Sequence, residues 1–316
     1  MKIAVLFPGQ GSQYLGMGNE FVASYDECRA IMDMAASVCD FPLEKIIADG
    51  PMEELTRAAV LQPAITVTNL ICLQALRNVL PVTAEISCFA GHSLGEFSAL
   101  CGAQVISVAD TIKLVERRGF FMEREGNKNP GGMRAILGLT IADLEQVVDD
   151  YSGTGVVTIA NFNTPQQIVI SGSIDGLEGV TPILEEKGGK VIPLNVSVAN
   201  HSPLVAGAVA DFSEIIESVE FHAPQAAVYF NVSAQPEDNP EHIKQMMAKQ
   251  IVSRVRWFES ISAMIESGVD TFIEVGPKTV LKGMMRKIAP KGADVLSLQF
   301  DNPNSLQSCV EKLSQG

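Results

Sequence analysis

The chain has 316 residues, of which 47% are hydrophobic and 19% are charged. These values are typical of a globular protein with one large domain and room for a modest insertion, and they exclude a disordered chain. The formal net charge of −14 argues against nucleic acid and anionic membranes as partners.

The chain opens on an apolar run, Ile3–Phe7, that is too short for a membrane span and lacks the pattern of a signal peptide. We therefore expect a cytoplasmic protein. Its six cysteines lie in apolar stretches without the spacing of metal ligands or of a disulfide framework: Cys28, Cys39, Cys72, Cys88, Cys101 and Cys309. We expect them to be reduced core residues, and we expect no metal site.

Strand-like runs and amphipathic helices alternate through the first third of the chain, and this alternation predicts an α/β domain. The predicted elements are a strand at Ile3–Phe7, a helix at about Asn19–Cys39, a helix at about Gln62–Val79 and a strand at Ile86–Ala90.

From about Gly131 the pattern changes to short strands and two helices. The predicted order is a strand at Met133–Leu139, a helix at Ile141–Asp150, strands at Val156–Ala160 and Gln167–Ser171, a helix at Leu177–Lys187 and a strand at Lys190–Leu194. This βαββαβ order predicts a ferredoxin-like subdomain, 131–197, inserted into a large α/β domain over 1–130 and 198–316. The turn-forming stretch 126–132 is expected to lead from the large domain into the insertion, and 197–202 is expected to lead back.

Helices are predicted again after the insertion, followed by a strand. Their ranges are Pro203–Val219, Glu241–Gln250 and Phe258–Ser267 for the helices, and Asp270–Val275 for the strand.

A GxSxG pattern centred on Ser93 follows the strand at Ile86–Ala90 and precedes a helix-forming run. That is the context of a nucleophile elbow, where a Cβ at Gly91 or Gly95 would crowd the sharp turn. At a helix start, exposed N–H groups beside Ser93 would favour an oxyanion. The alternative is a glycine-rich turn with a purely structural role.

A serine hydroxyl needs a base, and histidine is the usual one near neutral pH. His92 adjoins Ser93 and is expected to pack or to form a hydrogen bond instead, and His242 follows a polar loop that faces solvent. His201 lies at the seam of the insertion, where sites often form, and is favoured over His222, which stays open.

Two further features bear on a reaction. The loop Pro8–Gln13 has two glycines and could present N–H groups to an oxyanion, or could be an ordinary turn. Arg117 and Arg118 lie about 100° apart on a helix, so they cannot face solvent equally. If Arg118 points inward, it needs an anion, which is either a protein acid or a carboxylate on the substrate.

Basic residues recur every four positions at Lys278, Lys282 and Arg286, and Lys287 and Lys291 follow with no acid between Lys278 and Lys291. This spacing predicts one positive helical face. The face is either merely solvated or an interaction surface.

Six motifs together resemble the malonyl-CoA:acyl carrier protein transacylases, and their order and spacing match over essentially the whole chain: PGQGSQ at 8–13, GHSLGE at 91–96, VERRG at 115–119, NFN at 161–163, NH at 200–201 and EVGP at 274–277. The resemblance implies a hydrolase-like parallel-sheet domain with a ferredoxin-like insertion. It implies transfer of malonyl from malonyl-CoA to the phosphopantetheine thiol of acyl carrier protein, in fatty-acid biosynthesis. Malonyl-CoA is then a substrate, and no cofactor is expected.

The same resemblance assigns roles to residues. Ser93 would carry the acyl group, His201 would be the base, and the main-chain N–H groups of Gln10 and Leu94 would be the oxyanion donors. The main-chain carbonyl of Gln250 would orient the imidazole, giving a dyad without an acidic third member. Substrate contacts are expected from Arg118, which would hold the malonyl carboxylate, and from Gln62, His92, Asn161 and Asn200.

Carrier proteins are typically acidic, so docking on a chain of net charge −14 requires a local positive surface. The resemblance thereby favours docking near Lys278, Lys282, Arg286 and Lys287. The alternative functions are a discrete trans-acting polyketide acyltransferase, a proofreading acyl hydrolase, and a carrier-binding scaffold without catalysis. Arg118 argues against the hydrolase, and the joint presence of Ser93, His201 and Arg118 argues against the scaffold.

Some residues depart from the family pattern. Val198 and Asn200 fit neither usual pattern of the related polyketide enzymes, so the choice between malonyl and methylmalonyl stays open. Arg254 stands where the family commonly has proline, and Arg134 replaces a small residue. These two could be surface changes or could alter carrier docking.

Overall fold

The computed structural model describes residues 1–80, 85–196 and 198–314. Its strands, in chain order, are β1 (Ile3–Phe7), β2 (Ile86–Gly91), β3 (Gly131–Leu137), β4 (Val157–Thr164), β5 (Gln167–Ser173), β6 (Lys190–Pro193), β7 (Ala227–Tyr229), β8 (Thr271–Val275) and β9 (Leu296–Phe300).

Helices flank these strands along the whole chain. They are α1 (Asn19–Ser24), α2 (Asp26–Val38), α3 (Leu43–Asp49), α4 (Met52–Thr56), α5 (Ala58–Val79), α6 (Gly95–Gly102), α7 (Val108–Lys128), α8 (Ile141–Asp150), α9 (Ile174–Glu186), α10 (Gly207–Glu217), α11 (Pro240–Lys249), α12 (Trp257–Glu266), α13 (Val280–Ile288) and α14 (Pro303–Leu313). Short 3₁₀ helices cover Pro203–Val205 and Gln250–Val252.

Within the described residues, the large domain is built on a parallel sheet of five strands in the order β7-β2-β1-β8-β9. All five residues of β1 are buried, because helices cover both faces of such a sheet. Phe7 at the end of β1 pairs with Gly91 at the end of β2. The loops that follow these two strands therefore meet at the carboxyl edge of the sheet, where sites in α/β proteins form.

The insertion carries an antiparallel sheet of four described strands in the order β4-β5-β3-β6. Helices α8 and α9 pack on it around a separate core that includes Ile136, Leu144, Ile168 and Leu184. The βαββαβ order and the parallel sheet of the large domain confirm the predicted fold class. The predicted boundary at Ser197 lies outside the described residues.

Several predicted elements have other bounds in the structure. The helix expected over 19–39 is divided at Tyr25, which is extended with φ of −136°. The stretch 126–132 is mostly not a turn, because α7 continues to Lys128 and β3 begins at Gly131. A Cβ on Gly126 would lie 2.7 Å from Val198, so this glycine allows Val198 to pack closely against α7.

The predicted basic face is wrong for Lys278, which precedes α13. Its backbone has φ of 62°, and its N–H donates to Asp301 Oδ2 at 3.1 Å. Its ammonium group donates to the carbonyl of Gly11 at 3.2 Å. Lys282 and Arg286 do lie on α13, one helical turn apart.

The start of α13 is set by a carboxylate from β8. The two oxygens of Glu274, which is 1% exposed, accept the N–H groups of Leu281 at 2.9 Å and Lys282 at 2.8 Å. These N–H groups have no partner within the helix, so Glu274 acts as a cap from outside it.

By length and composition α5 could cross a membrane, but 89% of its apolar window is buried inside the protein. That is the burial of a core helix.

The two arginines that depart from the family pattern, Arg254 and Arg134, both have partners in the structure. Arg254 pairs with Glu145 of α8 at 2.9 Å, and its guanidinium lies 4.4 Å from the ring centroid of Phe162 in β4. It therefore ties the insertion to the segment before α12. Arg134 donates to the carbonyl of Leu177 at 2.8 Å and to the hydroxyl of Thr181, both on α9, so it fastens that helix to β3.

Candidate active site

The turn between β2 and α6 holds Ser93 in a left-handed conformation, with φ of 50°. A Cβ on Gly91 would lie 1.9 Å from the carbonyl carbon of Gly95, and a Cβ on Gly95 would lie 2.2 Å from the carbonyl oxygen of Phe7. Both glycines are therefore required by close backbone contact. The turn has the strand-to-helix geometry of a nucleophile elbow.

Ser93 and His201 meet, as the sequence predicted: Oγ of Ser93 lies 2.7 Å from Nε2 of His201. The other ring nitrogen, Nδ1, lies 3.1 Å from the carbonyl oxygen of Gln250 and 2.8 Å from that of Ser253. Carbonyl oxygens only accept, so Nδ1 carries the proton. The Nε2 lone pair then accepts a hydrogen bond from the Ser93 hydroxyl, which is the arrangement that proton removal from serine requires.

Burial first, and then the positive charge of Arg118, lower the pKa of His201 to about 3. The residue is 3% exposed. His201 is therefore neutral at physiological pH and able to take a proton.

The other histidines lie elsewhere or serve other contacts. The ring of His92 packs 5.5 Å from that of Trp257, its Nε2 lies 2.8 Å from Oδ1 of Asn163, and burial lowers its pKa. The side chains of His222 and His242 are 59% and 63% exposed. The geometry therefore favours His201 over His222 as the base, a choice that the sequence left open.

The loop after β1 packs directly on the elbow. A Cβ on Gly9 would lie 2.5 Å from the carbonyl oxygen of His92, and the N–H of His92 donates to the carbonyl of Phe7 at 3.0 Å. Among the described residues, the main-chain N–H groups of Gln10 and Leu94 have no acceptor. They remain available to an oxyanion formed beside Ser93.

A cavity of about 220 Å³ opens over Ser93, between the large domain and the insertion. Six of the predicted site residues line it: Gln10, His92, Ser93, Asn161, Asn200 and His201. Its apolar wall includes Met133, Val169 and Val196 from the insertion and its exit, and Met284 from α13. The amide of Asn200 donates to Oε1 of Gln10 at 3.2 Å, which joins two segments that are distant in sequence.

Arg118 is 2% exposed, and neither it nor the buried Gln62 and Gln250 is among the residues that line the cavity. Nη1 donates to Oε1 of Gln62 at 2.8 Å, Nη2 donates to Oε1 of Gln250 at 2.9 Å, and Nε has no partner in the described residues. Burial lowers the pKa of Arg118 to about 10. The protein acid that the sequence left open as a direct partner is not there, since both partners are neutral amides.

Sequence analysis missed Asn231, which holds the elbow from the side. Its Oδ1 accepts the N–H of Ser93 at 2.7 Å, its Nδ2 donates to the carbonyl of Gly91 at 2.8 Å, and its own N–H donates to Oε1 of Glu96 at 2.6 Å. Asn231 follows β7 at the carboxyl edge of the sheet, and this position is the one feature that could have indicated a functional residue from the sequence. The signal was not usable because β7 has three residues and was not predicted.

Among the described residues there is no group of three or more His, Cys, Asp or Glu side chains that could hold a metal ion.

Residues 5–298 match the family model described as acyl transferase domain. The malonyl CoA-acyl carrier protein transacylase of Bacillus subtilis (strain 168) is 36% identical over 316 residues, which are 99% of this chain and 98% of that protein. The crystal structure of the malonyl CoA-acyl carrier protein transacylase from Clostridium perfringens has a TM-score of 0.92 and 33% identity, covering 100% of this chain and 98% of the other.

A malonyl-transacylase solved in complex with its type II PKS acyl-carrier protein has a TM-score of 0.93 and 31% identity, covering 99% of this chain and 100% of the other. Identities above 30% over nearly full length extend the likeness from fold to family. This chain belongs to the malonyl CoA-acyl carrier protein transacylases, a family of acyltransferase enzymes.

Proposed function

We propose that this protein transfers malonyl from malonyl-CoA to the phosphopantetheine thiol of acyl carrier protein, in the fatty-acid biosynthesis of the cytosol and without a cofactor. The observation that carries the proposal is Arg118, a buried cation that donates to two neutral amides and whose Nε has no partner among the described residues. Gln250 connects it to the elbow, since its Oε1 accepts from Nη2 of Arg118 and its Nε2 donates to the carbonyl of Ser93 at 2.8 Å. A buried guanidinium so close to a reactive serine is suited to a carboxylate on the acyl group.

In the first half-reaction, Oγ of Ser93 attacks the thioester carbon of malonyl-CoA while Nε2 of His201 takes the hydroxyl proton. The N–H groups of Gln10 and Leu94 stabilise the oxyanion. The bond between carbon and sulfur then breaks, and His201 gives its proton to the departing coenzyme A sulfur. Malonyl is left as an ester on Ser93.

In the second half-reaction, the carrier thiol gives its proton to His201 and attacks the ester carbon. The bond between this carbon and Oγ breaks, and the proton returns to Ser93. The main-chain carbonyls of Gln250 and Ser253 stabilise the positively charged imidazole in both halves. Gln62, His92, Asn161 and Asn200 contribute to binding of the substrate around this centre.

Carrier docking is proposed at α13, whose Lys282, Arg286 and Lys287 face solvent at least in part. The same helix lines the cavity through Leu281 and Met284, so a carrier bound there has a short path for its thiol to Ser93. Lys278 adds a positive charge beside this helix. The relative solved with a type II PKS acyl-carrier protein supports a carrier as partner and keeps a polyketide carrier as an alternative acceptor.

The test compares malonyl-CoA with acetyl-CoA, which has no carboxylate. Arg118→Ala should lower kcat/KM for malonyl-CoA by about 100-fold and leave that for acetyl-CoA within a few-fold, because two charge-assisted hydrogen bonds are lost. Arg117→Ala, an exposed neighbour on the same helix, is the matched control and should change neither. An unchanged acyl preference in Arg118→Ala would refute the proposal. Transfer rates to fatty-acid and polyketide carriers then decide between the pathways.

A further inference from the structure

Glu96 is a buried carboxylate that the mechanism above does not use. It lies in the first turn of α6, three residues after Ser93, and is 0% exposed. Oε1 accepts the N–H of Asn231 at 2.6 Å, and Oε2 accepts Nε2 of Gln250 at 2.5 Å. Both partners are neutral donors. Burying a carboxylate without a direct cation is costly, so the position calls for a compensating role.

Gln250 lies between Glu96 and Arg118. Its Oε1 accepts from Nη2 of Arg118 at 2.9 Å, and its Nε2 donates both to Glu96 and to the carbonyl of Ser93. A guanidinium only donates, whereas a carboxylate and a carbonyl only accept. The amide therefore has one satisfied orientation. Rotated by half a turn, it would set NH₂ against the guanidinium and oxygen against two acceptors.

We propose that Glu96 is a positioning residue for acyl selection, because it fixes the orientation of the Gln250 amide and thereby keeps an acceptor facing Arg118. This inference rests on the proposed function. Glu96 acts through Gln250 and touches neither Ser93 Oγ nor the imidazole, whose Nδ1 is held by main-chain carbonyls. Gln62 is the other acceptor of Arg118 among the described residues, so loss of the Gln250 acceptor would leave the guanidinium held at one end only.

Opposing effects act on the charge of Glu96. Burial raises the pKa of Glu96 to about 7, while its hydrogen bonds to Asn231 and Gln250 and the charge of Arg118 act in the opposite direction. The negative charge of Glu96 in turn opposes the lowering of the Arg118 pKa that burial causes. The acid and the guanidinium thus favour each other's charged form across the amide.

The first experiment measures acylation of Ser93 by malonyl-CoA and by acetyl-CoA in Glu96→Gln and Glu96→Asp. An amide at position 96 faces two donors and can satisfy one, so Glu96→Gln should lower the preference for malonyl about 10-fold. Glu96→Asp keeps two acceptor oxygens in a shorter side chain and should retain more of the preference. Glutamine matches glutamate in size, so a role in filling space predicts that Glu96→Gln keeps more of the malonyl preference than Glu96→Asp. That result would overturn the proposal.

Glu274→Gln is the matched control. Glu274 is also buried and also accepts two N–H donors, but it lies on β8 and does not contact Gln250 or Arg118. Its replacement should leave the acyl preference unchanged. If it lowers the preference as much as Glu96→Gln does, the effect belongs to any buried carboxylate and the proposal fails.

A double-mutant cycle supplies the second test. If Glu96 acts through Arg118, then Glu96→Gln should cause no further loss of preference in the Arg118→Ala background. If the losses of malonyl preference in the two single variants multiply in the double variant, the inference is overturned and the proposed function stays intact. A wild-type protein without malonyl preference, or an Arg118→Ala variant that keeps it, would instead count against the proposed function. Should Glu96→Gln not fold, Gln250→Met removes the same acceptor and keeps the main-chain carbonyl; retention of the preference there overturns the inference.

Discussion

The main-chain carbonyl of Ser253 lies 2.8 Å from Nδ1 of His201, closer than the carbonyl of Gln250 at 3.1 Å. Two main-chain acceptors thus take the place that a carboxylate has in a serine–histidine–aspartate triad. They fix the tautomer without adding a negative charge. The pKa of His201 is therefore governed by burial and by Arg118 and stays low.

This predicts the pH dependence of acylation. The base form of His201 exists above its pKa of about 3, so its protonation should produce no loss of rate between about pH 5 and 8. In Arg118→Ala a repulsive positive charge is gone, the pKa rises, and the acid limb should move to higher pH. The measurement is the pH profile of Ser93 acylation by acetyl-CoA in wild type, Arg118→Ala and Arg117→Ala. An acid limb that stays in place in Arg118→Ala would contradict the assigned cause.

The elbow glycines should resist any side chain. In Gly91→Ala the new Cβ meets the backbone of Gly95, which cannot move without displacing the elbow, so we expect a loss of at least about 3 kcal/mol in unfolding free energy. Gly283→Ala on α13 is the control, because no described atom other than those of its chain neighbours and of the adjacent helix backbone lies within 4 Å of its Cβ position. It should gain about 0.5–1 kcal/mol from helix propensity. Urea denaturation measures both, and a tolerated Gly91→Ala would contradict the geometry.

Removal of the cap on α13 should destabilise that helix. Glu274→Ala leaves the N–H groups of Leu281 and Lys282 without acceptors and should cost about 1–3 kcal/mol. Glu274→Gln keeps one acceptor and should cost less. Chemical denaturation measures the unfolding free energies, and hydrogen exchange of the α13 amides locates the effect. Equal costs for the two variants would show that the hydrogen bonds are not its source.

Carrier docking on α13 should depend on charge. Reversing Lys282, Arg286 and Lys287 to Glu should raise KM for carrier protein by about 10-fold and weaken its dependence on salt. Formation of malonyl-Ser93 from malonyl-CoA should change much less. Lys187→Glu, on the exposed surface of the insertion, is the control. Equal losses in both half-reactions would contradict a surface reserved for the carrier.

The sequence identified functional residues where the chemistry requires a particular residue type within a local motif. Ser93 was found from its glycines and the preceding strand, and Arg118 from its place on an otherwise apolar helix. Asn231 and Ser253 left no such trace. Asn231 follows a strand of three residues, and Ser253 contributes a main-chain carbonyl, which any residue type can supply.

Two expectations depended on tertiary contacts that no spacing encodes. The interval of four residues placed Lys278 on a helix, but the helix begins only where Glu274 can cap it. The inward turn of Arg118 suggested an anion, either a protein acid or a carboxylate on the substrate. Gln62 and Gln250, which come from distant segments, are its actual neighbours.

The most direct test of the account is the mass of the protein after incubation with malonyl-CoA in the absence of carrier. We predict the addition of one malonyl group, located on Ser93, absent in Ser93→Ala and discharged when carrier bearing a free phosphopantetheine thiol is added. No mass increase in the wild type, or an increase that persists in Ser93→Ala, would contradict it.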